Sequence, residues 1–235
     1  MYRDNKLKEV RPSNNFSSFE AQSESQRTVS GLLQGLTNQV IDCREAIANT
    51  AQPFSEPCLF FIWGEPGRGK THLVEAFVNK IRSEAPDVYR RMIMSRGSFY
   101  FDYQTSDNPY GDAPIVVIDD MFHDKMSVGD LQPSTEIAAF MRFITDLYDR
   151  QRLVIVTSNF PLIEGGIMER VAAVDKIGRT ISRAAEVMSR AGEYKLEGQD
   201  FRQELVRRRR SERNTGVTLT LSGNQVLAKN VFLPR

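Results

Sequence analysis

The stretch that most constrains this chain is an apolar run of six residues, Cys58-Leu59-Phe60-Phe61-Ile62-Trp63, leading directly into Gly64-Glu65-Pro66-Gly67-Arg68-Gly69-Lys70-Thr71. A short apolar run between turn formers is the signature of a strand buried on both faces of a parallel sheet. The eight residues after it match G-x-x-x-x-G-K-[ST], and Leu73, Val74, Phe77 and Ile81 follow at helical spacing. Strand, glycine-rich turn and helix are the context the motif requires. The glycines let backbone N–H groups curl around phosphates, and the helix presents its positive end to them. Lys70 reaches the β and γ phosphates, and Thr71 offers a hydroxyl to magnesium. Gly64, Glu65, Pro66, Gly67, Arg68, Gly69, Lys70, Thr71 and His72 are therefore expected to contact ATP, with Mg2+ as the second ligand.

Two further apolar runs end in polar residues. Ile115 to Ile118 leads into Asp119 and Asp120, and Leu153 to Val156 leads into Thr157, Ser158 and Asn159. In a parallel sheet these polar ends lie at the carboxyl edge, where ligands bind. Asp119 is placed to hold magnesium through water, together with Thr71, and Asp120 to polarise an attacking water. Asn159 could hydrogen-bond the γ phosphate or that water. Taken alone, the two acids have a solvated strand-end turn as their lesser alternative, whereas a Ser-Asn turn is more often only a loop; the order of both behind the phosphate loop favours the functional reading. Helical spacing recurs over 31–50 and 135–148, then in stretches at about 164–171 and 177–190, with a strand expected at 193–196. Strand and helix alternate, which gives an α/β layered sheet with parallel strands flanked by helices.

At 235 residues the chain has room for one well-buried core with short extensions. Its formal net charge of +1 identifies no partner, but Arg202, Arg207, Arg208, Arg209, Arg210 and Arg213 gather near the C-terminus. That run is equally a solvated helix end or a patch for nucleic-acid phosphates. Residues 1–28 are polar, with Phe16 and Phe19 the only large anchors, and read as a flexible arm. No apolar run approaches the ~18 residues of a membrane span. The two cysteines make no disulfide framework, and His72 and His123 have no metal-ligand spacing. A cytoplasmic protein without structural zinc is the expectation. Alternating apolar residues around Ser222-Gly223-Asn224 suggest a terminal β-hairpin.

GEPGRGKTHL, IVVIDD and LVIVTSNFP together resemble an AAA+ ATPase of the DnaC/DnaI helicase-loader and IstB transposition-ATPase group. The resemblance runs from about Phe16 to Arg202 and includes NNFSSFEAQSES, IGRTISRAAEV and YKLEGQDFR. It implies Walker A, Walker B and sensor 1 roles for the three strand ends. It also implies that a helix bearing Arg179 and Arg183 reaches the ATP of an adjacent subunit, with arginine suited to fork onto phosphate oxygens. Asp120 stands where many AAA+ proteins have glutamate, so slow hydrolysis is expected. The interval from Ile81 to Pro114 is small for the helical insertion of replication initiators, and Phe99, Tyr100, Phe101 and Tyr103 within it read as core strand residues more than base-stacking platforms. Little chain is left after Arg202 for a helical lid.

The division expected is an arm over 1–28, an AAA+ core over 29–202 and a basic extension over 203–235. The function implied is a slow ATPase of DNA replication, a homo-oligomer acting on single-stranded DNA or a replicative helicase, with no membrane. IstB-like and ZapE/AFG1-like ATPases share the core motifs. A small-molecule kinase and an adaptor that binds ATP without hydrolysing it are rivals of other classes.

Overall fold

The computed structural model describes residues 6–96, 101–103, 106, 108–188, 192–201, 220, 221, 224 and 225. Five strands, β1 (Cys58–Trp63), β2 (Met92–Arg96), β3 (Ile115–Met121), β4 (Leu153–Ser158) and β5 (Gly192–Lys195), form one sheet in the order β2-β3-β4-β1-β5. Every pairing in it is parallel. From β1 the chain crosses to β2 at the far edge and returns through β3 to β4, which lies against β1. After β4 it passes to β5 on the other side of β1. The order thus reverses beside β1, and a crevice at the carboxyl ends of the strands is the consequence.

The alternation of side chains along buried strands assigns each residue to one of two helical layers. Phe60, Ile62, Ile115, Val117 and Ile155 pack with Leu33, Ile47, Leu73, Phe77 and Val88. These belong to α1 (Glu24–Asp42), α2 (Arg44–Asn49), α3 (Lys70–Glu84) and α4 (Pro86–Arg90). Leu59, Phe61, Val116, Ile118 and Val156 point the other way and pack with Phe140, Ile144, Ile167, Val171 and Val187. Those lie on α5 (Ala138–Asp149), α6 (Ile167–Ala172) and α7 (Arg179–Met188). A sheet covered on both faces is why its strands read as continuous apolar runs.

Several expectations shift. The helix expected over 31–50 begins earlier, because Ser23 and Gln26 form a capping box at the start of α1. The helix expected from 135 opens with a π-helical turn, Pro133–Ile137, before α5. Strand β2 and helix α4 fall in the interval that sequence left unassigned. Residues 101–103 are helical, not a strand, with Tyr103 buried in the core and Phe101 about half exposed. Phe99 and Tyr100 lie outside the described residues.

Where composition reads as a loose arm, residues 6–23 are anchored. Leu7 and Val10 are buried, Phe16 and Phe19 pack on the α1/α3 layer, and the Asn79 amide donates to the carbonyls of Arg11 (2.8 Å) and Asn14 (2.6 Å). Polar composition hid this because the apolar anchors are few and scattered, with no hydrophobic stripe, and the remaining anchors are side-chain bonds to backbone. The chain divides into two compact units, residues 1–198 and 199–235. In the second, β6 (Thr220–Leu221) pairs antiparallel with β7 (Asn224–Gln225), where a terminal hairpin was expected. The arginine run lies outside the described residues. Among those described, no helix is long and apolar enough to cross a membrane.

Candidate functional site

The phosphate loop is shaped by what surrounds the end of β1. Gly64 has φ 149°, and a Cβ there would sit 2.4 Å from the Leu196 carbonyl oxygen, so no larger residue fits. Leu196 is held in that place by its own N–H, which donates to the Trp63 carbonyl at 2.7 Å. Gly69, in the left-handed region at φ 96°, is the N-cap of α3 and supplies no side-chain cap. The first N–H groups of α3 are therefore available to an anion, with the helix dipole behind them. Lys70 is buried, and its Nζ donates to the carbonyls of Gly64 (2.6 Å) and Glu65 (3.0 Å) and to Asn159 Oδ1 (2.9 Å). Arg68 pairs with Glu65 at the outer rim.

Beside the loop, β3 ends irregularly. Its register with β4 shifts between Ile118 and Met121, and Asp120 takes φ 60°, a left-handed conformation that Asp tolerates better than most residues. The irregularity turns successive carboxylates in different directions. Asp119 is buried, and its Oδ1 accepts hydroxyl protons from Thr157 (2.7 Å) and Thr71 (3.1 Å), while Arg96 Nε lies 3.3 Å from Oδ2. Burial pushes the Asp119 carboxyl up from the usual range, an effect opposed by the Thr157 hydroxyl, Arg96 and Thr71. Asp120 is half-buried; its N–H donates to Thr157 Oγ1 at 2.7 Å. Asn159 Nδ2 lies 3.4 Å from Asp120 Oδ1, so one amide spans Lys70 and Asp120.

Lys70, Thr71, Asp119, Asp120 and Asn159 are thus brought together from three separate sequence segments. Three participants were missed by sequence reasoning: Thr157, which ties Asp119 to the backbone of Asp120, and the pair Arg96 and Glu75. A hydroxyl inside an otherwise apolar strand was the available signal for Thr157. His72 does not turn to the loop. Its Nε2 lies 3.1 Å from the Asn15 carbonyl and 3.2 Å from Ser18 Oγ, and Phe19 meets its ring edge-on. That side chain fastens the N-terminal segment to α3.

The arginines of α7 lie elsewhere. Arg179 is exposed at the first position of the helix, whose opening N–H groups are capped by Asp175. Arg183 is half-buried against α5, with Nη1 donating to Thr145 at 3.1 Å, Nη2 3.4 Å from Asp149, and its guanidinium over the Tyr148 ring. Neither is bonded to the phosphate loop of its own chain.

The donors fit the ligands the motif implies. Magnesium takes oxygen ligands, usually one or two from protein, with phosphates and water completing its shell. The Thr71 hydroxyl and Asp119 carboxylate match that demand, while the loop N–H groups and Lys70 match phosphate oxygens. Among the described residues no group of three or more His, Cys, Asp or Glu could enclose a metal alone.

Sheet order, loop and strand ends define a P-loop ATPase domain of the AAA+ type, with no clear helical lid among the described residues. Residues 24–170 match the model of the bacterial DnaA ATPase domain, and the chain belongs to that family. None of the curated proteins compared with it matches. Its fold is similar to that of domain III of the replication initiation protein DnaA from Thermotoga maritima, at 18% identity over 87% of this chain and 76% of that one, with a TM-score of 0.52. A candidate primosome component from Streptococcus pyogenes serotype M3 is similar at 15% identity over 83% of this chain and 90% of that one, TM-score 0.52. DnaI is similar at 14% identity over 83% and 93%, TM-score 0.51. At such identities the likeness is one of fold.

Proposed function

We propose that this protein is an ATP-controlled DNA-replication factor of the helicase-loader kind, binding ATP with Mg2+ at Gly64–Thr71 and hydrolysing it slowly. The observation that carries the reading is the convergence of Lys70, Thr71, Asp119, Asp120 and Asn159 on one point at the carboxyl edge of the sheet. Magnesium held by Thr71 and Asp119 would draw charge off the phosphates. Lys70, already buried among acceptors, exchanges carbonyl oxygens for phosphate oxygens. Asn159 orients toward the γ phosphate position, and Asp120 takes up a proton from water aligned there. Aspartate at 120 has a shorter reach than glutamate, which is the basis for expecting slow turnover. Membership of the DnaA ATPase family supports the replication assignment, and the fold shared with DnaI supports the comparison with loaders. Single-stranded DNA or a replicative helicase is the partner proposed, in the cytoplasm.

Arg179 is the residue proposed to complete the pocket of a neighbouring subunit, because it is exposed while Arg183 is engaged on α5. An arginine supplied across an interface is worth about 10³ to 10⁵ in rate in other P-loop enzymes. Arg179→Ala protein should bind ATP and fail to hydrolyse it. Mixed with Lys70→Ala protein, which has a defective pocket and an intact arginine, it should recover part of the activity. Turnover per subunit that is independent of concentration, with no recovery on confirmed co-assembly, removes the interface from the proposal. Turnover stimulated by a small metabolite, and not by single-stranded DNA or self-association, would point to a small-molecule kinase instead.

A further inference from the structure

Glu75 is a fully buried carboxylate on the face of α3 that packs toward the sheet, where an unpaired charge would be costly. Thr71, Glu75 and Asn79 are spaced four residues apart and form one polar stripe along that helix. Each has its own task. The Thr71 hydroxyl donates to Asp119, and the Asn79 amide donates to the carbonyls of Arg11 and Asn14. Glu75 receives the Asn14 amide on Oε2 at 2.6 Å and the Arg96 guanidinium on Oε1. Arg96 Nε in turn lies 3.3 Å from Asp119 Oδ2. Two buried carboxylates therefore share one guanidinium, and one of the two is the acid beside Thr71.

We infer that Glu75 is a positioning residue that sets how strongly Asp119 holds a divalent cation, and that Asn14 couples the N-terminal segment to that setting. The inference rests on Thr71 and Asp119 being the magnesium ligands. A guanidinium left to a single carboxylate forms a two-point fork with it. At Asp119 such a fork would occupy oxygen lone pairs and bring a positive charge against the metal. Glu75 draws Arg96 toward α3, so the guanidinium reaches Asp119 only at Oδ2 and Oδ1 stays with Thr71 and Thr157. Asn14, fixed through its backbone by Asn79, holds Glu75 in that place.

The test is the magnesium concentration giving half-maximal binding of a fluorescent ATP analogue to the full chain, read without turnover. Glu75→Gln should raise that midpoint about five- to tenfold, since Arg96 then closes on Asp119 and a negative charge is lost nearby. Asn14→Ala should raise it about twofold, the size of one lost hydrogen bond shared between partners. Adding Arg96→Gln to Glu75→Gln should return the midpoint to the wild-type value or below it. A purely structural role would lower melting temperature in all three variants without this reversal. An unshifted midpoint in folded Glu75→Gln protein, or a double variant that keeps the raised midpoint, overturns the proposal. Should Glu75→Gln fail to fold, an unshifted Asn14→Ala overturns it. Wild-type protein whose analogue binding ignores magnesium overturns the functional reading and this proposal together, whereas a normal wild-type titration beside unshifted variants overturns this proposal alone.

Discussion

The two edges of the central sheet bury charge in opposite ways. At the amino edge, Asp146 accepts from the Tyr103 hydroxyl (3.0 Å), pairs with Arg150 Nε (2.7 Å) and lies 3.7 Å from Arg152. Arg152 is 2% exposed, donates to the Gly111 carbonyl and Asn108, and lies over the Tyr110 ring. An open cavity of about 840 Å³ is bordered by Asp146, Arg150 and Arg152 together with Pro53 and Pro114. Three acids (Asp112, Asp146, Asp149) and three arginines (Arg142, Arg150, Arg152) line it, so neither sign of ligand is favoured. At the carboxyl edge, Asp119 is as deeply buried, but its partners are two hydroxyls and a guanidinium shared with Glu75. The Asp146 carboxylate is filled by its own neighbours, although Arg152 Nε and Nη1 beside it find no hydrogen-bond acceptor among the described residues; the Asp119 carboxylate keeps capacity for something else.

The strongest way to break this contrast is at Lys70. Lys70→Ala removes the one buried ammonium that links the loop carbonyls to Asn159. ATP affinity or turnover should fall by about 10² to 10³, as when one preorganised donor is taken from a charged site. Circular dichroism should be unchanged. Equilibrium titration with ATP checks it, and unaltered affinity and turnover would show that the carboxyl edge has no more ligand capacity than the amino edge.

Arg152→Met should do the reverse. Leaving Asp146 without one of its cations costs about 3 kcal/mol, the low end for breaking a buried pair, because Arg150 stays in contact. Urea unfolding reads the loss, and ATP affinity of the folded fraction should stay at the wild-type value. A variant that keeps its stability and loses ATP binding would mean that the two edges are one functional unit.

Asp119→Asn separates stability from ligand binding at a single residue. Burial raises the Asp119 carboxyl above its ordinary range, so the ionised form is disfavoured in the fold. For a raised group, stability is present below the unfolded pKa and lost as pH rises through the folded one. Near neutral pH the charge therefore opposes folding. Its removal should leave the melting temperature level or raise it slightly, while the magnesium dependence of ATP binding disappears. A marked fall in melting temperature would place Asp119 with Asp146, the filled carboxylate of the amino edge.

What the sequence disclosed divides along similar lines. β1, β3 and β4 were legible because each holds a short apolar run bounded by turn-forming or polar residues, a local pattern that points to a buried strand. The P-loop was legible because its glycines and Lys70 stand at fixed offsets. Strand β2 was not, since Met92-Ile93-Met94-Ser95-Arg96 is short and alternates poorly, and the role of Arg96 comes only from the register that sets it against Asp119. Glu75 sits in a helix whose spacing suggested an ordinary amphipathic stripe. The left-handed turn at Asp120 depends on the shifted pairing of β3 with β4, a relation between distant segments. Residues 6–23 were misread because four scattered apolar anchors make no stripe and the others, Asn14 and His72 among them, are polar.

The smallest expected effect sharpens the comparison with an acid in the connection that follows β3. Glu136 is as buried as Asp119, yet its acceptors are filled. Lys125 Nζ lies 2.8 Å away, the Thr135 hydroxyl donates to it, and the Gln132 N–H donates at 2.9 Å. Burial alone would raise its carboxyl, but these partners prevail and hold it down at about 2. The sign is opposite to that of Asp119. A depressed carboxyl contributes stability above the unfolded value of 4.5, and that contribution is lost as pH falls from there through about 2. The melting temperature of wild-type protein should therefore exceed that of Glu136→Gln by a few degrees at pH 6, about what a difference near 1 kcal/mol gives in a domain this size. The gap should narrow steadily between pH 4.5 and pH 3. For Asp119→Asn the acid trend runs the other way, because protonation relieves wild-type Asp119 of a cost the variant never carries. Parallel melting curves for the two variants from pH 3 up to pH 6 compare two buried acids shifted in opposite directions, the Asp119 change falling above its unfolded value of 3.8. Identical trends would mean that burial, not the supply of partners, governs both.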